Sequence, residues 1–258
     1  MNSLNNSGFS LTGIIASILA GIATGVGALP LLFTKKISDK LLDTMLGFSA
    51  GVMLAATSFS LVIPALEYGG GGLKGTLLTA LGMIVGAVFL DLIDKFSPHV
   101  HTVLGNEGSK SKLSRVWLFV IAITIHNFPE GLAVGVGFGT GNTFDGLSLA
   151  IGIGLQNMPE GLAVALPLLH EGYSKSKALL IAFATGLVEP IGALFGILLA
   201  HVARPILPIG LAFAAGAMLF VISDEIIPET HTRGFQRIAT YGVIVGFIVM
   251  TALNTLIG

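Results

Sequence analysis

Apolar residues along this chain run in long blocks separated by short polar segments, with no strand-like alternation. Cutting at charge clusters and Gly/Pro breaks leaves eight blocks, at approximately 10–34, 41–66, 73–94, 116–139, 146–171, 178–202, 206–228 and 238–257. Each reaches the roughly 20 residues that a helix needs to cross a bilayer. The pattern therefore predicts an all-α integral membrane protein with eight transmembrane helices, forming one domain over 1–258. The one long connection, "KFSPHVHTVLGNEGSKSKLSR" at 95–115, is predicted as a polar loop. The run from Leu11 to Phe33 follows an uncharged start and ends at Lys35-Lys36, so it reads as a first span; a cleaved leader would open on basic residues.

Charge then gives a direction. The connections after the first, third, fifth and seventh spans hold Lys35, Lys36, Lys40, Lys95, Lys110, Lys112, Arg115, Lys175, Lys177, Arg233 and Arg237, which is eleven of the 13 basic residues. Lys74 and Arg204 lie on the other side. Basic loops stay in the cytoplasm, so 95–115 is expected to be cytoplasmic and both termini extracytoplasmic. The second span reads "AGVMLAATSFSLVIP" (50–64) and the seventh "AGAMLFVISDEIIP" (215–228), an echo between segments that cross in opposite senses. Inverted repeats of this kind are a transporter habit, with the substrate site near the midplane.

Composition agrees with the spans. The chain is 53% hydrophobic and 10% charged, with a mean hydropathy of +0.90, against about 25% charged residues in a soluble domain. Its partner is the lipid bilayer. A net charge of −1 gives no support for nucleic-acid binding. With no cysteine there is no disulfide, thiolate site or cysteine nucleophile. HExxH, GxSxG and GxxxxGK[ST] are absent, so no enzyme class finds its machinery and no resident catalytic cofactor is expected.

The candidate chemistry sits in the fourth and fifth spans. "HNFPEGLAV" (126–134) returns as "QNMPEGLAV" (156–164), with seven of nine positions identical. His126 and Glu130 are four residues apart and Asn127 and Glu130 three, so they share a helix face. Gln156, Asn157 and Glu160 repeat that spacing, and Glu189 is central in the sixth span. A charge at a helix centre costs about 2.5–3.5 kcal/mol, and no span carries a central Lys or Arg. Either these glutamates are protonated or a mobile cation sits among them. Pro129 and Pro159 free the carbonyls of Ile125 and Leu155, and such breaks are expected where helices line a cavity. Imidazole, amide, carboxylate and carbonyl together suit Zn²⁺, Fe²⁺, Mn²⁺ or Co²⁺. The plainer reading makes His126 and the amides interhelical glue, which three uncompensated glutamates exceed; a proton relay would use similar residues.

"HNFPEG" and "QNMPEG" in a fourth and a fifth span resemble the ZIP family of divalent metal transporters, in its prokaryotic branch, and the likeness extends over essentially the whole chain. That resemblance implies 3+2+3 inverted repeats, a homodimer, and metal movement across the cell membrane into the cytoplasm by an elevator-like shift of spans 1, 4, 5 and 6. It implies a first metal site of His126, Glu130, Gln156 and Glu160 with Met53 nearby. A second would use Asn127, Glu130, Asn157, Glu160 and Glu189, the two shared glutamates bridging. Zn²⁺ is the implied substrate, with Fe²⁺, Mn²⁺, Co²⁺ or Cd²⁺ as alternatives. Many relatives have His in place of Gln156 and an acid in place of Asn157, which weakens a zinc-only inference and lowers the second site's charge. His99 and His101 read as exit-side metal traps or as a solvated pair. Glu67 reads as an entrance attractor or as a surface charge. Asp224, Glu225, Glu229 and His231 read as a metal-release cluster, ahead of the alternative of interfacial anchors. Asp91, Asp94, His170 and His201 read as span-end residues. A divalent-metal channel, and more remotely a metal-dependent intramembrane enzyme, are the alternative functions.

Overall fold

The computed structural model of the chain describes residues 3–34, 37–96, 99–101, 105–107, 115–139, 143–202 and 206–257; the side chains of Asp94, His99, His101 and His201 are outside the description, as are Lys35, Lys36, Lys110, Lys112 and Arg204 altogether. Eight helices among these residues are long and apolar enough to cross a membrane: α1 (Leu11–Leu32), α2 (Asp39–Tyr68), α3 (Gly72–Ile93), α4 (Val116–Gly139), α5 (Thr143–His170), α6 (Lys175–Ala200), α7 (Leu207–Glu229) and α8 (Gln236–Leu256). Five of them, α2, α3, α5, α6 and α8, begin one to three residues before the apolar blocks do. Ser38 caps α2, accepting from the Leu41 amide, and Ser174 caps the start of α6, accepting from that of Lys177. A capped first turn tolerates polar residues, so the blocks understate the helices. The 95–115 connection contains a short antiparallel hairpin, β1 (His99–His101) on β2 (Gly105–Glu107).

The helices pair closely as α1 with α5, α4 with α6, α2 with α8 and α3 with α7. Without a hydrophobic drive between helices in lipid, packing depends on small residues that let backbones meet. Both motif glycines do this. A Cβ on Gly131 would lie 2.0 Å from the Glu189 carbonyl oxygen on α6, and one on Gly161 would lie 1.7 Å from the Thr24 carbonyl oxygen on α1. Gly47 and Gly51 seat α2 on α8 in the same way, against the Ala239 and Val243 carbonyls.

Proline acts differently from the expectation of broken helices at Pro129 and Pro159. Helical structure is continuous through both, because a proline removes a single ladder bond and the glycine contacts beside it hold the turn against a neighbour. The interruption is instead in α6, at Leu187–Val188 ahead of Glu189-Pro190. In α2 and α7 the ladder widens: residues Ala56–Val62 and Ile222–Ile226 form π turns. The Ile63 amide reaches back to the Ser58 carbonyl, and the Ile227 amide to that of Ile222. Each π turn comes just before a proline, Pro64 or Pro228, whose ring would clash with the carbonyl four residues back. The segments that echo each other in sequence therefore share this irregularity.

The buried apolar residues fall into two clusters. One takes Ala16 and Ala20 of α1, α2 from Ala50 on, Leu132–Phe138 of α4 and Leu149–Ile153 of α5; the other takes Ala28 and Leu31, Leu42 and Leu46, Val120 and Ile123, and Leu162–Leu168. On each of these helices buried polar residues separate the two: Thr24; Ser49; His126, Asn127 and Glu130; and Gln156, Asn157 and Glu160. The fold thus sandwiches one polar layer between two apolar ones.

Candidate functional site

That layer gathers the sequence candidates. His126, Asn127 and Glu130 of α4, Gln156, Asn157 and Glu160 of α5, and Glu189 at the α6 interruption are all buried, as is Met53 of α2. Gln156 Nε2 donates to Glu130 Oε1 at 2.5 Å, joining the two motifs. Asn157 Nδ2 donates to Glu189 Oε1 at 2.6 Å and to the Ala20 carbonyl of α1 at 2.8 Å. No Lys or Arg is buried among the described residues to offset these three carboxyl groups.

Several polar atoms here have no hydrogen-bonding partner: Glu130 Oε2, Glu189 Oε2, Gln156 Oε1, Asn157 Oδ1 and both amide atoms of Asn127. Each such buried atom costs about 1–3 kcal/mol, so the layer is shaped for more than its own internal bonds. Five of these six orphans are oxygens. Among the described residues, no three His, Asp or Glu groups already stand in metal-holding geometry; the amide nitrogens of Gln156 and Asn157 occupy the carboxylates. A half-turn about the terminal torsion exchanges amide N for O with almost no change of shape, which converts each amide from carboxylate donor to cation ligand. The donor set therefore fits a divalent cation as cargo.

Two features of the layer are not apparent in the sequence. Ser49 of α2 donates to Glu160 Oε1 at 2.8 Å. It lies one turn before Met53, and that i, i+4 spacing on an apolar face is the signal that would have found it. Glu225, in the π turn of α7 and only 8% exposed, places its carboxylate 3.3 Å from His126 Nδ1. The widened turn carries it into the layer and away from its sequence neighbours Asp224, Glu229 and His231.

Those neighbours scatter. Glu229 bonds Arg233, which also donates to Asp43 Oδ1 of α2 at 2.6 Å. Burial opposes the Arg233 charge, but Glu229 and Asp43 outweigh it and raise its pKa above the ordinary arginine value. His231 is exposed and bonds Thr230 and the Ile227 carbonyl, and Asp224 is half-buried. Glu67 is exposed at the far end of α2, and His170 is exposed. Asp91 is paired with Lys95 at 2.6 Å on the surface of the helix that α3 belongs to. His99 and His101 are placed by backbone alone, in β1.

A family model described as "ZIP Zinc transporter" matches residues 106–254. "Zinc transporter GufA" of Myxococcus xanthus is 49% identical over 251 residues, covering 95% of this chain and 99% of that protein. "Zinc transporter ZIPB" of Bordetella bronchiseptica is 43% identical, covering 92% and 78%. "Zinc transporter ZIP11" of Homo sapiens is 36% identical, covering 91% and 94%.

Proposed function

Because this chain belongs to the ZIP zinc transporter family, we propose that it carries Zn²⁺ across the cell membrane into the cytoplasm, binding it in the polar layer. The observation that carries this reading is the set of three buried glutamates on α4, α5 and α6, with orphaned oxygens and no buried cationic side chain beside them. Divalent cargo neutralises what the protein leaves charged.

In this reading His126, Glu130, Gln156, Glu160 and Met53 make a first site, and Asn127, Asn157 and Glu189 complete a second, with Glu130 and Glu160 shared. Fe²⁺, Mn²⁺, Co²⁺ and Cd²⁺ fit the same N/O donor set. Glu225 beside His126 is the next acceptor along the path. The termini are extracytoplasmic and the protein works as a homodimer. The 3+2+3 inverted repeat finds support in the helix pairs. Exchanging α1 with α6, α2 with α7, α3 with α8 and α4 with α5 turns α1–α5 into α6–α4 and α2–α8 into α7–α3, so every close pair maps onto another. The paired π turns of α2 and α7 follow the same exchange. Transport is an elevator-like movement of α1, α4, α5 and α6, which the α1–α5 and α4–α6 glycine contacts join into pairs. A membrane potential of 100 mV supplies about 4.6 kcal/mol per divalent ion.

The test is uptake into liposomes of Zn²⁺, Mn²⁺ and Ca²⁺ by the wild type, Glu130→Ala and Glu160→Ala. Zn²⁺ uptake by the wild type, abolished by both substitutions, is expected. An active wild type with both variants near normal refutes the site.

A further inference from the structure

Resting on that reading, we propose that Ser49 is a positioning residue: its hydroxyl sets the Glu160 carboxylate for cargo from a helix outside the motif pair. Ser49 is fully buried, and its Oγ lies 2.8 Å from Glu160 Oε1 and 3.3 Å from the Gln156 carbonyl oxygen. A glutamate side chain has three rotatable bonds, and a donor fixed on one oxygen limits where the other lone pairs point. A donor can do this only if it is itself held still.

Ser49 is held by the packing around it. On the residues flanking it, α2 is seated on α8: a Cβ on Gly47 would stand 2.2 Å from the Ala239 carbonyl oxygen and one on Gly51 2.0 Å from that of Val243. At the other end of the bond, Glu160 is followed by Gly161, whose contact with the Thr24 carbonyl seats α5 on α1. Both partners are therefore mounted on backbone-to-backbone seams, and the bond spans the interface between the α2–α8 and α1–α5 pairs. A one-turn slide of α5 along α2, about 5.4 Å, breaks it. Glu160 is then positioned for cargo in one relative placement of the pairs and not in another, which makes affinity depend on conformation, as any ligand-driven change requires.

The experiment is calorimetric Zn²⁺ titration of the purified full-length protein as wild type, Ser49→Ala, Ser49→Thr, Glu160→Ala and the Ser49→Ala/Glu160→Ala double variant. Loss of a partner that orients a metal ligand typically weakens binding by about 10–100-fold. Ser49→Ala is expected to fall in that range, Ser49→Thr to return to within a few-fold of wild type, and the double variant to bind no worse than Glu160→Ala alone. That non-additivity carries the test by itself if the extra methyl of Thr is not accommodated. Ser49→Ala binding as tightly as wild type, or more tightly, while Glu160→Ala fails, overturns the positioning role and leaves the metal site standing. Unchanged binding in Glu160→Ala overturns the site itself.

Discussion

Replacing Arg233 with Met isolates the contribution of the ion cluster that ties α2 to the α7–α8 connection. Asp43 is fully buried; Oδ1 accepts from Arg233, and Oδ2 has no partner. The substitution leaves a buried carboxylate with neither oxygen bonded to a cation. Breaking a buried pair from one side costs about 3–5 kcal/mol. Arg233 is itself 25% exposed, so water reaches the cluster and the lower end, about 3 kcal/mol, is expected. For a chain of this size that is on the order of 10 °C in melting temperature. Changing Asp43→Asn together with Arg233→Met removes the stranded charge, and most of the loss should return. The raised Arg233 pKa adds a pH sign. Stability from a cation whose folded pKa is raised is complete below its ordinary value and lost only above it, so melting should be insensitive to pH through this cluster across the neutral range. Differential scanning fluorimetry in detergent reads the shift, and zinc calorimetry on the same samples should show unchanged affinity, since Arg233 bonds Asp43 and Glu229 and none of the residues of the polar layer. A shift below about 2 °C would mean the charges are solvent-screened. Weakened zinc binding at unchanged stability would return Glu229 to the release path.

Two further outcomes follow from the same geometry. In the proposed site, cargo has to displace protons from Glu130, Glu160 and His126, so zinc affinity should drop by ~10-fold or more between pH 7 and pH 5; a flat titration would remove these side chains from the ligand set. Gly161→Ala puts a methyl 1.7 Å from the Thr24 carbonyl oxygen, whereas at Gly210 nothing lies within 4 Å of the added carbon. The first should cost about 1–3 kcal/mol or more and the second be neutral to mildly stabilising, read by melting temperature and yield of monodisperse protein; equal effects would dispose of the backbone contact.

The spans and the core of the site were legible because a bilayer makes demands that sequence cannot hide. Long apolar runs mark crossings, and a repeated glutamate inside them has no ordinary explanation. Residues 126–130 and 156–160 do meet, through Gln156 and Glu130, as the family resemblance implied. What stayed hidden depends on distance along the chain or on backbone shape. Asp43 and Arg233 are 190 positions apart, and nothing local in "LLDTML" announces a partner. Glu225 looks like a span-end acid until the π turn rotates it to His126. Ser49 is one small residue among many in "GFSAGVM", and its importance appears only when α5 stands beside it. The prolines misled for the opposite reason: local chemistry predicted breaks at Pro129 and Pro159, and tertiary contact through the following glycines kept those helices whole.

The two apolar clusters that enclose the polar layer are also electrical insulation. Low-dielectric material above and below means that the membrane voltage falls mainly across those slabs, and little of it across the layer itself. In the proposed site, an ion among Glu130, Glu160 and Glu189 would sit on a shelf of nearly constant potential. In the elevator-like movement proposed above, the ion crosses the field together with that shelf, so the current should come in strokes of the helices and not as a steady leak.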